Sequence, residues 1–140
     1  MSRGQGEYVI APNDLIFLMN ECSLCFWRKE RLGLARPSTP FPGQYSQLAA
    51  RQSDFFVGRT TQQLSAELPP GKVTVAERWV KSEPIDVPGH RSKVVIRGRI
   101  DLALAFDNGD FGLADLKTSA PDSGLGAKYF PQASLYSLAL

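Results

Sequence analysis

Asn108-Gly109 stands between two strand-like runs, residues 93–106 and 111–118, and it constrains the fold more than any other feature of the chain. Both residue types enter the left-handed backbone region at low cost, so the dipeptide is a strong short-range hairpin signal. The second run therefore returns antiparallel to the first. A lone hairpin is marginal in water, so further elements must cover one of its faces.

The rest of the chain supplies them. Leu15, Leu18, Met19, Cys22, Cys25 and Phe26 recur at helical spacing and predict one helix, capped by Asn13 or Asp14. Arg28, Lys29 and Arg31 crowd its last turn, where cations complement the helix dipole, and Gly33 ends it. Pro37, Pro40 and Pro42 make residues 35–43 a stiff linker. A second helical stretch covers residues 45–68, with Leu48, Phe55, Phe56, Leu64 and Leu68 as its apolar positions and a break near Gly58. Pro69-Pro70-Gly71 stops it. From Lys72 the period becomes two, with Val73, Val75 and Trp79 on one strand face and Glu77 among them. Residues 82–92 read as a loop holding the only histidine, His90, and residues 119–128 as a second loop. Pro131 suits the first turn of a final helix. The order helix, helix, three strands, helix predicts an α/β fold: a small mixed sheet built on a central antiparallel hairpin and flanked by helices.

A chain of 140 residues suits one domain, 1–140. Residues 1–12 read as a loose segment, 13–68 as the helical part, and 72–140 as the part that carries the sheet and the chemistry. A net charge of +2 is too small to mark a nucleic-acid binder, so any DNA contact must come from a local basic patch. Cys22 and Cys25 are too few for a disulfide framework. The start has no apolar core and does not read as a signal peptide. The apolar run 15–19 is far short of the roughly 20 residues of a membrane helix. The expectation is a cytoplasmic protein with no membrane partner. The last residues, 135–140, stop without a helix cap, which reads as a piece of a longer protein.

Three short pieces carry the chemistry. Gly98-Arg99-Ile100-Asp101 and Asp115-Leu116-Lys117 lie on the two hairpin runs, and Gln132 through Tyr136 follow at helical spacing. Ile100, Leu102, Leu104 and Phe106 form an apolar face, so Asp101 points with Arg99 to the other one. Paired strands are about 5 Å apart, so Asp101 and Asp115 can converge on one ion. Two carboxylates suit a hard cation such as Mg²⁺ or Mn²⁺, and the carbonyl of Leu116 can add a third oxygen. Lys117 beside that ion can orient a water or neutralise a phosphate oxygen. Gln132 and Tyr136 share a helix face and can contact substrate, while Lys128 near the helix start can meet phosphate.

These motifs, GxxD, (D/E)xK and QxxxY in that order, resemble those of the PD-(D/E)XK nuclease superfamily, and most closely its RecB-type and CRISPR-associated exonuclease branch. The resemblance covers residues 98–136, with weaker support from the cysteine, aromatic and basic pattern of residues 22–33. It implies a restriction-endonuclease-like core, shortened at the C-terminus, and a Mg²⁺-dependent, exonuclease-like deoxyribonuclease. The work implied is DNA recombination, repair, phage or CRISPR-related processing, beside a helicase, recombination or CRISPR partner protein. It implies metal binding by Asp101 and Asp115, a catalytic Lys117, and supporting or substrate-binding roles for Gln132 and Tyr136; Lys128 and Arg99 stand beside them as candidate substrate-binding residues. Many members carry a metal-binding histidine four residues after a glycine of the second helix; here Gly58 is followed by Gln62, a poorer ligand. Some relatives hold an iron–sulfur cluster through one N-terminal and three C-terminal cysteines, which here would require further cysteines after Leu140.

Two other readings stand beside this one. A catalytically inactive nuclease-fold module would bind nucleic acid or a protein partner. An unrelated small binding domain would carry the motifs by chance. Cys22 and Cys25 read as buried small hydrophobes, Trp27 and Trp79 as packing residues, His90 as solvated, and Arg28, Lys29 and Arg31 as a solvated helix end. Glu77 reads equally as a member of the site or as an edge residue.

Overall fold

The computed structural model describes residues 6–37, 40, 42–117 and 125–140. It is mixed α/β, with helices flanking a five-stranded mixed sheet. The elements are β1 (Glu7–Ile10), α1 (Pro12–Asn20), α2 (Ser23–Leu32), α3 (Gly43–Phe56), α4 (Thr61–Leu64), β2 (Gly71–Lys81), β3 (Ile85–Asp86), β4 (Lys93–Phe106), β5 (Phe111–Ala114) and α5 (Leu125–Ser137). The strand order is β1-β4-β2, and β3 and β5 also pair with β4. The chain forms two compact units: Met1–Thr39, Val80–Gly98 and Ala127–Leu140 in the first, Pro40–Trp79 and Arg99–Gly126 in the second.

In the first unit, β1 runs parallel to β4 from Glu7↔Lys93 to Ile10↔Ile96. Residues 1–12 are therefore not loose throughout. Four residues are too few for alternation to register in the sequence, and the strand exists because the longer β4 offers it a ladder. The loop expected over 82–92 likewise contains β3, antiparallel to β4 at Ile85↔Val94. Buried Ser82 holds this turn, its hydroxyl donating to the Glu83 carbonyl and accepting from the Ile96 N–H at 2.9 Å.

The single helix expected from residue 13 to Gly33 is two helices. The first starts earlier, at Pro12, whose missing N–H costs nothing at the first helical position. Glu21 and Cys22 leave the helical region, and the Cys22 sulfur accepts the Cys25 N–H at 3.2 Å, capping α2. Gly33 ends α2 as expected, in the left-handed conformation at φ 69°. The basic residues are not merely solvated: Lys29 forms an ion pair with Asp14 of α1, and Arg31 donates to the Tyr8 hydroxyl at 2.9 Å. The final helix begins at Leu125, so Pro131 lies inside it rather than in its first turn. A proline there removes one backbone bond of the helix.

In the second unit, the long helical stretch breaks at Gly58, as expected, with φ 80°. Its N–H donates to the Val73 carbonyl at 2.8 Å. Val73, Leu102 and Leu104 form the buried core, with Phe56, Leu64, Leu68, Ala76, Phe106, Ala114 and Leu116 packed against it. β4 spans the predicted 93–106 and pairs antiparallel with β5 from Leu102↔Ala114 to Ala105↔Phe111. The ladder closes at Phe106, whose N–H donates to the Asp110 carbonyl at 2.9 Å. Gly109 supplies the left-handed residue at φ 90°, whereas Asn108 keeps a negative φ. The connection is thus a three-residue loop ended by glycine, not a two-residue turn.

β2 departs from its expected alternation. Glu77 adopts φ 50°, the only non-glycine residue with positive φ among those described. Val73 is buried before it, but Trp79 is 61% exposed after it and Val80 takes the buried position. A left-handed residue inside a strand slips the side-chain parity, which is why the face predicted for Trp79 is wrong. Trp27, also expected to pack, is exposed on α2.

Candidate active site

The site is built on the second unit. Ile100, Leu102 and Leu104 are buried on one face of β4, so Asp101 projects from the other, as the alternation predicted. β5 is shorter than the predicted 111–118 and ends at Ala114. Asp115, Leu116 and Lys117 follow just beyond the ladder. Leu116 anchors this segment by packing its side chain against the Val73–Leu102–Leu104 core. Its N–H meanwhile donates to Asp101 Oδ2 at 2.7 Å. One residue therefore ties the end of β5 to both faces of the hairpin.

Two of the expected charges pair within this segment. Lys117 Nζ lies 2.5 Å from Asp115 Oδ2, and both side chains are partly buried. The carboxyl of Asp101 is raised above its ordinary pKa, chiefly because burial penalises its charge. The Leu116 N–H opposes that shift. The negative charge of Asp115 adds to it, Lys117 again opposes it, and Glu77 adds the smallest push. Asp101, Asp115, Lys117 and Glu77 therefore share one electrostatic neighbourhood. Arg99, an expected substrate-binding residue, forms an ion pair with the Glu77 carboxylate. Glu77 thus pairs with the residue two positions before Asp101 on β4. The signal available in the sequence was an acid inside an apolar strand face; its positive φ had no signature.

Gln132 and Tyr136 lie one turn apart on α5 in the first unit, and each is only 6% exposed. The Tyr136 ring packs over Gly98: a Cβ at that glycine would stand 2.5 Å from Tyr136 Cε1. The glycine of the GxxD motif thus admits an aromatic ring. Lys128 belongs to α5, but its side chain lies outside the described residues. Gln62 is exposed on α4, and His90 is exposed in a turn, as expected.

Among the described residues, no group of three or more His, Cys, Asp or Glu side chains is positioned to hold a metal ion. The donor set expected for one is smaller: two carboxylates and a backbone carbonyl. Two acids close enough to perturb one another suit a hard divalent cation, which relieves their repulsion. No helix of the described residues is long and apolar enough to cross a membrane. No family model, curated protein or solved structure matches the chain.

Proposed function

We propose that Asp101, Asp115 and Lys117 form the active centre of a Mg²⁺- or Mn²⁺-dependent nuclease of the PD-(D/E)XK type that hydrolyses DNA phosphodiester bonds with exonuclease-like action. The observation that carries this reading is the Leu116 N–H bonded to Asp101, which joins the two acidic motifs through the residue between Asp115 and Lys117. Asp101, Asp115 and the Leu116 carbonyl would hold the cation. A bound divalent metal supplies Lewis acidity and lowers the pKa of a coordinated water.

The chain's own groups do the rest. Lys117 is tethered by Asp115, so its ammonium stands ready to orient the attacking water and neutralise charge on the phosphate oxygens. Glu77 holds the Arg99 guanidinium in place for a neighbouring phosphate. Burial of Gln132 and Tyr136 favours a supporting role over direct substrate contact. Such an enzyme would work in the cytoplasm, beside a helicase, recombination or CRISPR partner protein.

The test is cleavage of end-labelled DNA by the purified full chain in Mg²⁺. Lys117→Ala should slow cutting by about 10²–10³-fold, the loss typical of removing one charge-stabilising group. Its circular dichroism should stay unchanged. Undiminished cutting by the variant rejects the proposal. Metal-independent DNA binding without cleavage would favour the inactive binding module.

A further inference from the structure

Cys22 and Cys25 form a second chemical site that the nuclease reading does not use. Both were expected to be buried on one helix face; the break at Glu21 instead leaves both thiols free and partly exposed. Cys22 is the N-cap of α2, and Cys25 sits one turn in. The Cys25 N–H donates to the Cys22 sulfur at 3.2 Å. That approach brings the two side chains together, and a disulfide needs their Cβ atoms about 3.5–4.5 Å apart, so closing it draws in the backbone of the first turn of α2. Arg28 acts electrostatically on both sulfurs, and Arg36 acts on Cys25. Arg36 itself stacks over the Phe17 ring of α1 at 3.5 Å.

We propose that Cys22 and Cys25 are a redox-active dithiol in which Cys22 attacks a low-molecular-weight disulfide and Cys25 resolves the product. In the first step the Cys22 thiolate bonds to one sulfur of the disulfide, and the other sulfur leaves as a thiolate. In the second step the Cys25 sulfur gives up its proton and bonds to the Cys22 sulfur, and the second small thiolate leaves. The small disulfide is reduced to two thiols, and the protein pair is oxidised to one disulfide.

The roles follow from the asymmetry of the pair. Hydrogen bonds from Cys25 favour the thiolate at Cys22, holding it below the ordinary thiol range. Hydrogen bonding toward Cys22, then burial, raises the Cys25 thiol instead. A helix N-terminus and a guanidinium are the surroundings that make a cysteine a nucleophile. Closing the ring would covalently fix the first turn of α2.

The experiment is intact-mass analysis of the full chain treated with oxidised glutathione, a readout separate from DNA cleavage. Wild type should lose two hydrogens and retain no glutathione. Cys25→Ser should retain one glutathione, at Cys22. Cys22→Ser should react at least about tenfold more slowly than Cys25→Ser, since the thiolate is the attacking species. Serine is itself a good N-cap, so Cys22→Ser keeps the helix start, and circular dichroism confirms it. Wild type that retains glutathione on both cysteines, stays unmodified, or reacts no faster through Cys22 than through Cys25 overturns the proposal.

Discussion

The two halves of β4 obey one alternation but live in different surroundings. Over residues 93–98, Val95 and Ile96 are both buried, and the strand has partners in β1 and β3. Over residues 99–106 the pattern is cleaner: Ile100, Leu102 and Leu104 go inward, while Arg99, Asp101, Ala103 and Ala105 stay at least partly open. Burial on both faces makes the first half a structural spine. Burial on one face leaves the second half free to present charge, and the candidate site is there. A single strand can thus divide its work by how many of its faces are covered.

Changes at Gly98, at Glu77 of the neighbouring β2 and at Asp101 sharpen the contrast, in falling order of effect. Gly98 belongs to the spine, and a Cβ there meets the Tyr136 ring. Gly98→Ala should cost about 2 kcal/mol by overpacking, measured by urea denaturation. Combining it with Tyr136→Leu should cost less than the two changes summed, because the clash disappears. Strict additivity would show that the contact carries no energy.

Glu77 sits where β2 switches its buried parity, in a backbone region that a β-branched residue resists. Glu77→Val should be about 1–2 kcal/mol less stable than Glu77→Gly, although both lose the pair with Arg99. Equal stabilities would mean the φ relaxes at no cost.

The smallest effect concerns Asp101, on the open half. Its raised carboxyl pKa means that folding favours the protonated form. That contribution is present below the ordinary carboxylate pKa and is lost as pH rises through the raised one. Metal-free Asp101→Asn should therefore melt above wild type near pH 7, while its amide oxygen still accepts the Leu116 N–H. The difference should close below about pH 4, where the aspartate is protonated in both states. A variant less stable than wild type at both pH values would mean that burial does not strain this charge.

The same contrast explains what the sequence made legible. The open half of β4 announced itself, because a long alternating run and Asn108-Gly109 act locally and need no distant partner. Asp101 could be placed opposite the 115–117 segment on that basis, although β5 ends at Ala114 before reaching it. The partners of the spine were invisible: β1 and β3 are too short to show a period and form only because β4 is already there. The helix break at Glu21 was hidden because the apolar spacing of residues 15–26 runs straight through it; a thiol serving as an N-cap has no strong signature. The exposure of Trp79 followed from one backbone angle at Glu77, which no side-chain pattern encodes. Burial of Gln132 and Tyr136 was equally unreadable, since polar residues at helical spacing look like a surface.

The proposed joint action of Asp101 and Asp115, joined through Leu116, on one divalent cation is open to a direct measurement. Calorimetric titration of Mn²⁺ into the full chain tests it most directly. Binding should be saturable and should disappear in the Asp101→Asn/Asp115→Asn double variant while its circular dichroism is retained. A folded wild-type chain that takes up neither Mn²⁺ nor Mg²⁺ would contradict it.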